Sequence, residues 1–477
     1  MFCAPSQVLA RQLRGHRGLL CITVVCATLA SVDGRAQSVL TLEQALQVAQ
    51  QRSLQFAAHD AIARASRELA VAAGQRPDPT LSIGINNLPV SGGDRFSLTR
   101  DFMTMRSIGV AQEITRSDKL RARSARFDRD AEAAVAARVV ALTNLRRDTA
   151  QAWFERYYQE RMADLLRAQR AAAALQIDAA QAAFRGARGG LTEVVAARSA
   201  VALIDDRIRQ AERLASSAQS KLVRWVGAHG NLALGAPPSV TTVHLDAAAL
   251  ESQLAHHPQL ALLQKQEAAA QADADIARSN QQADWSVGLM FSQRGSAYSN
   301  MVSVNVSIPL QFDQKNRQDR ELAAKLAVVE QLRAQREEAA REHLTETLVW
   351  LQQWRGDQDR LAHYDRELIV LAAERTRAAL AAYNGGAGST AGSGTLAAVL
   401  EARRMEIDIR MDRLRLEMEA AAQWAQLEYL LPPEPLAAAP ARAALDSVDR
   451  SADRVIGPAM NPATNPAMAR TTNPVEN

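Results

Sequence analysis

The sequence predicts a mainly α-helical chain that contributes strands to a transmembrane β-barrel. Three observations carry this. Two pairs of short segments alternate apolar and polar residues, long intervening stretches lack glycine and proline, and the whole scheme occurs twice. In the later pair, Trp285, Val287, Leu289 and Phe291 alternate with Ser286, Gly288 and Ser292. Val302, Val304, Val306, Ile308 and Leu310 then alternate with Ser303, Asn305, Ser307 and Pro309. In the earlier pair, Leu81, Ile83 and Ile85 alternate with Ser82, Gly84 and Asn86, and Ile108, Val110 and Ile114 follow. A strand with one apolar and one wet face requires that alternation. Runs of about 8 to 10 residues suit a tilted strand crossing the hydrocarbon of a bilayer.

The 477 residues carry a net charge of only +4, and acids are interspersed with arginines along the helical stretches. That is the pattern of solvated helix faces and makes no case for nucleic acid. Residues 1–36 read as a cleaved signal peptide: Arg11, Arg14 and Arg17 precede an apolar core from Leu19 to Leu29, and Gly34-Arg35-Ala36 offers small residues for cleavage. Cys3, Cys21 and Cys26 all fall inside it, so the mature chain has no disulfide framework. Leu20 and Val25 stand before the latter two, where lipid attachment wants a small residue. Beyond the signal no run of about 18 apolar residues occurs, so a route into a membrane is through strands.

The first repeat spans residues 37–226. Thr41 with Gln44 forms a capping box for a helix to about Arg76, which Pro77 and Pro79 stop. After the strands, a helix runs from Ser117 to Arg185 without glycine or proline, roughly 100 Å at 1.5 Å per residue. Gly186, Gly189 and Gly190 end it, and a further helix covers Leu191 to Val226. A linker, 227–245, holds Gly230, Gly235, Pro237 and Pro238. The second repeat, 246–431, has a helix from about Asp246 to Ala283, the strand pair, and a helix from about Lys315 to Tyr383. A Gly/Ser-rich turn from Asn384 to Gly394 and a helix from Thr395 to Leu431 complete it. The tail, 432–477, is rich in Pro, Ala and Asn and reads as disordered.

Register supports true duplication. Gly84 matches Gly288, Trp153 matches Trp350, and Leu191 matches Leu396, at offsets of about 204, 197 and 205 that change at the loops. In each half, two shorter helices stacked end to end match the long one, with strands at one end of the rod and glycine-rich turns at the other. Four strands cannot close a barrel, for which about eight is the minimum. The strands therefore demand assembly.

This organisation resembles the TolC-like outer-membrane efflux factors from about Thr41 to Leu431, through the duplication, the strand pairs, Ser307-Ile308-Pro309-Leu310 and the two turns. Asn87-Leu88-Pro89-Val90, the run Arg95 to Met105, Ile108-Gly109-Val110 and Gln112-Glu113 are similar to the heavy-metal cation branch, the CusC/CzcC type. The resemblance implies a homotrimer with a 12-stranded β-barrel in outer-membrane lipid and a 12-helix α-barrel tunnel through the periplasm. It implies two partners, a periplasmic adaptor of the membrane-fusion type and an inner-membrane RND-type pump. The membrane-facing residues would be Leu81, Ile83, Ile85, Ile108, Val110, Trp285, Val287, Leu289, Phe291, Val302, Val304, Val306 and Ile308. Arg188, Gly189, Gly190, Leu191, Thr192, Gly394, Thr395 and Leu396 stand where the family meets its adaptor. The family's paired acids of the second turn correspond here to Ala398 and Glu401, leaving Glu401, with Glu193, as the expected tunnel constriction.

No enzyme signature is present: no phosphate-cradling glycine loop, no nucleophile elbow, no His/Cys cluster at zinc spacing, and so no cofactor is expected. Adjacent His256 and His257 point about 100° apart on a helix and suit one ion poorly, and Pro258 marks a helix start. Met103 and Met105 offer soft thioethers but lack a third ligand nearby and read as packing. A duct for drugs or secreted proteins shares the fold. A periplasmic coiled-coil scaffold would keep the helices but has no use for the strands.

Overall fold

The structure, a computed structural model, describes residues 39–187, 189–246, 249–385 and 395–432. The expected signal peptide, Arg188, Gly394 and the tail from 433 lie outside them. The order helix, two strands, long helix, helix occurs twice. The first half comprises α1 (Leu42–Arg52), α2 (Leu54–Ala73), β1 (Thr80–Asn86), β2 (Met105–Ile114), α3 (Ser117–Arg185) and α4 (Leu191–Val226). The second comprises α5 (Leu250–Leu254), α6 (Pro258–Ser279), β3 (Trp285–Gln293), β4 (Met301–Ser307), α7 (Gln318–His363), a π turn (Tyr364–Leu368), α8 (Ile369–Asn384) and α9 (Leu396–Glu428).

The capping box forms as read: Thr41 Oγ1 accepts from the Gln44 N–H at 3.2 Å and Gln44 Oε1 from the Thr41 N–H at 3.1 Å. The first helix is nevertheless two, because Ser53 adopts an extended conformation (ψ 115°) between α1 and α2. Serine tolerates that break better than an interior helix former. The helix expected from Asp246 is likewise divided, since Pro258 occupies the first turn of α6 and His257 precedes it in extended conformation. The long helix α3 runs the expected 69 residues, and the Gly186 N–H closes it on the Ala182 carbonyl.

Each long helix lies beside two shorter ones: α3 against α2 and α4, and the α7–α8 rod against α6 and α9. The halves join where α3 meets α6 and α9. The core sits midway along the helices. Trp153, Phe154 and Tyr158 are fully buried there, Trp153 stacks on Tyr157 (centroids 5.4 Å apart), and Trp424 meets Phe154 edge-on at 6.0 Å. Three indole N–H groups strap irregular segments to this core. Trp153 donates to the Leu40 carbonyl at 3.1 Å, Trp354 to Val240 at 3.1 Å and Trp424 to Thr242 at 2.8 Å. The linker after α4 turns at Gly227, whose φ of 63° and ψ of −140° only glycine adopts readily. The Arg52 guanidinium fills the space a side chain there would need.

Candidate channel-forming surfaces

The four strands form one antiparallel sheet in the order β1-β2-β3-β4. Its register aligns Leu81, Val110, Leu289 and Val304 in one cross-strand row and Ile83, Ile108, Phe291 and Val302 in the next. Val287 pairs with Val306, and Trp285 with Ile114 at the end nearer the helices. Because side chains alternate in strands, every apolar strand residue expected to face the membrane lies on one face of this sheet. Ile308 lies just past the end of β4. The face is bare: Ile83 is 76% exposed and Val304 68%. The other face presents Ser82, Gly84, Ser107, Gly109, Ser286, Gly288, Ser303 and Asn305, and is tied by Ser82 Oγ donating to the Gly109 carbonyl at 3.3 Å. The outer edges of β1 and β4 carry no strand partner among the described residues.

The sheet is fixed to the helices by a nearly buried ion pair. Lys119 Nζ, in the first turn of α3, lies 2.6 Å from Asp284 Oδ2, immediately before β3. Asp284 Oδ1 also accepts the Arg116 backbone N–H at 3.1 Å. Burial pushes the Asp284 carboxyl up, but these donors outweigh it and hold the group below the usual carboxylate range. No local sequence signal marks this pair, whose members are 165 residues apart.

At the opposite end, Gly189 and Gly190 lead into α4 and Thr395 caps α9 by accepting the Ala398 N–H at 3.3 Å. Leu191 and Thr192 are exposed. Leu396, expected at an adaptor surface, is instead buried with Ala180, Val194 and Ala197, so its side chain packs the start of α9 against α3 and α4. Glu193 occupies the first turn of α4, with its carboxylate folded over Gly189. There it complements the helix dipole. Glu401 is exposed and forms no ion pair among the described residues.

His257 and His343 lie with ring centroids 4.2 Å apart and planes tilted by 37°, beside a cavity of about 200 Å³ where α3, α6, α7 and the end of α9 meet. His256 points elsewhere and bonds the Ser252 carbonyl. Met105 pairs with Asn86 in the sheet, and Met103 is exposed in the loop before β2. Among the described residues no group of three His, Cys, Asp or Glu is placed to hold a metal ion, and no helix is long and apolar enough to cross a membrane.

Solved structures share this arrangement. The outer-membrane channel OprN matches with a TM-score of 0.67 at 16% identity, over 82% of this chain and 89% of its own. The fold is that of outer-membrane channels. CusC, described for its transmembrane channel formation, matches at 0.65 and 16% identity over 82% and 92% of the two chains. The outer membrane protein VceC from Vibrio cholerae matches at 0.61 and 16% over 80% and 96%. No protein-family model and no curated protein matches the sequence. Within the outer-membrane channel fold, the strand faces were legible as alternation. The burial of Leu396 was not, because it depends on contacts between helices remote in sequence.

Proposed function

We propose that the chain is the outer-membrane exit duct of a tripartite efflux system, acting as a homotrimer with a periplasmic adaptor and an inner-membrane RND-type pump. The sheet carries the reading: an exposed apolar face and two open edges, attached to helices of up to 69 residues. Backbone groups left unpaired in hydrocarbon cost several kcal/mol each. Joining β4 of one copy to β1 of the next in a ring of three removes both edges and gives twelve strands above twelve helical staves. The apolar face then meets lipid and the serine- and glycine-rich face lines the lumen. The duct is passive, and the pump supplies the driving force. A leader over residues 1–36 directs export.

The cargo we assign is heavy-metal cations, of the copper/silver or cobalt/zinc/cadmium type. Support comes from the resemblance of the loop from Asn87 to Met105. The fold likeness extends to OprN, CusC and VceC alike and bears on the duct rather than its cargo. At the far end, Glu401, with Glu193, narrows the tunnel to favour cations, and Leu191, Thr192 and Thr395 meet the adaptor beside Arg188 and Gly394. Growth of a deletion strain, with and without the gene, on Cu, Ag, Zn, Co, Cd and Ni salts and on antibiotics tests the cargo. Selective loss of metal tolerance is expected; sensitivity to organic compounds alone would replace metals with drugs. For the constriction, Glu401→Ala is expected to reduce single-channel cation selectivity in planar bilayers, and unchanged selectivity would remove the role.

A further inference from the structure

The apolar face of the sheet carries a single charged residue among its paired positions. Arg106 stands between Ile85 on β1 and Gln293 on β3, on the same side as Ile108, Val110, Leu289 and Phe291. It is exposed, and its side chain makes no hydrogen bond or ion pair among the described residues. Its neighbours at this end of the sheet are engaged. Arg95 lies over the Phe96 ring at 4.7 Å, Arg100 reaches Asp94 at 3.5 Å, and Arg294 donates to the Ser299 and Phe102 carbonyls. Asp101 Oδ1 accepts the Met103 and Thr104 N–H groups. The only acid in the four strands, Glu113, is on the opposite face and at the other end. Neither the described residues of this chain nor the strands of a second copy offer the Arg106 side chain a carboxylate.

Position along the strand identifies what does. Arg106 is eight residues from Ile114, the partner of Trp285. At about 3.4 Å per residue and a tilt near 45°, that is a height of roughly 20 Å. The Trp285 row and the Arg106 row therefore bracket an apolar band close to the ~25 Å of outer-membrane barrels. A long cationic side chain at such a rim extends its head to the interface while its stem stays in the apolar layer.

We propose that Arg106 binds the phosphate of a lipid headgroup at the outer rim of the barrel, with the Gln293 amide as a second donor. A guanidinium matches phosphate bidentately, and Ile85, Ile108 and Phe291 beside it accommodate the acyl chain. That adjacency selects lipid over free phosphate. The inference rests on the lipid-facing reading of this face.

The test uses full-length protein in detergent and native mass spectrometry, comparing a diphosphorylated glycolipid with its dephosphorylated counterpart, with and without excess inorganic phosphate. Wild type is expected to prefer the phosphorylated lipid about tenfold, with inorganic phosphate unable to displace it. Arg106→Gln loses the preference, and Arg95→Gln keeps it. Equal preference in wild type and Arg106→Gln, or displacement by inorganic phosphate, overturns the proposal. In parallel, brominated-acyl vesicles report insertion through quenching of a component of tryptophan emission that Trp285→Phe removes. Quenching without an Arg106 effect sinks this site alone; no quenching sinks the lipid-facing reading with it.

Discussion

Acidification is expected to weaken the junction of the two halves through His257. This imidazole is 8% exposed, its Nδ1 has no hydrogen-bond partner among the described residues, and its ring lies tilted against His343. Burial, then the neighbouring His343, pushes it down from 6.5 to about 4. Arg147 on α3 and Glu346 on α7 are the charged groups on the same cavity wall, and Tyr429 closes it beyond α9. The folded value lies below the unfolded one, so this contribution is complete above about pH 6.5 and is lost as pH falls through about 4. Between about pH 7.5 and pH 4.5 the loss is on the order of 2–3 kcal/mol. Urea unfolding of the full-length protein in detergent, followed by far-UV circular dichroism at both pH values, measures it. His257→Phe keeps a ring against His343 and removes the proton site, so its stability should fall less on acidification by that amount. Equal losses in wild type and variant would refute the assignment.

Lys119→Met leaves the nearly buried Asp284 carboxylate without its cation and should cost about 3–5 kcal/mol in denaturant unfolding, much of it recovered by adding Asp284→Asn. Val304→Lys places a charge in the middle of the bare apolar face and should destabilise the vesicle-inserted protein by about 2–4 kcal/mol, whereas Asn305→Lys on the other face should be nearly neutral; equal effects would reverse the faces. Gly227→Ala meets both a disfavoured backbone and the Arg52 guanidinium, and should cost at least about 1–3 kcal/mol, read as a shift in the urea midpoint.

The helices were legible where local signals dominate. Nothing between Ser117 and Arg185 can break a helix, and glycines follow at once, so sequence and structure agree on α3 to the residue. The strand faces were legible because period two needs no knowledge of the partner. Agreement fails where tertiary contacts decide. Ser53 opens a helix whose pattern looks continuous, and Lys119 finds Asp284 across the two halves. Leu396 reads as an exposed turn residue, yet it is covered by neighbours on α3 and α4.

The π turn has a geometric consequence for the two halves. Trp153 matches Trp350 and the helix ends Arg185 and Asn384 correspond, so the second rod has two more residues over this span than the first. Each added residue of a regular α-helix swings every later side chain about 100° around the axis. Uncorrected, the surface of α8 that meets α9 would turn away. The wider winding at Tyr364–Leu368 absorbs part of that rotation, and buried Thr376 still reaches the Ala402 carbonyl at 3.3 Å. The two rods therefore carry different phase into their glycine-rich ends. In a ring of three copies the ends of α3 and α8 would alternate as two kinds, so a docking partner would meet threefold rather than sixfold symmetry.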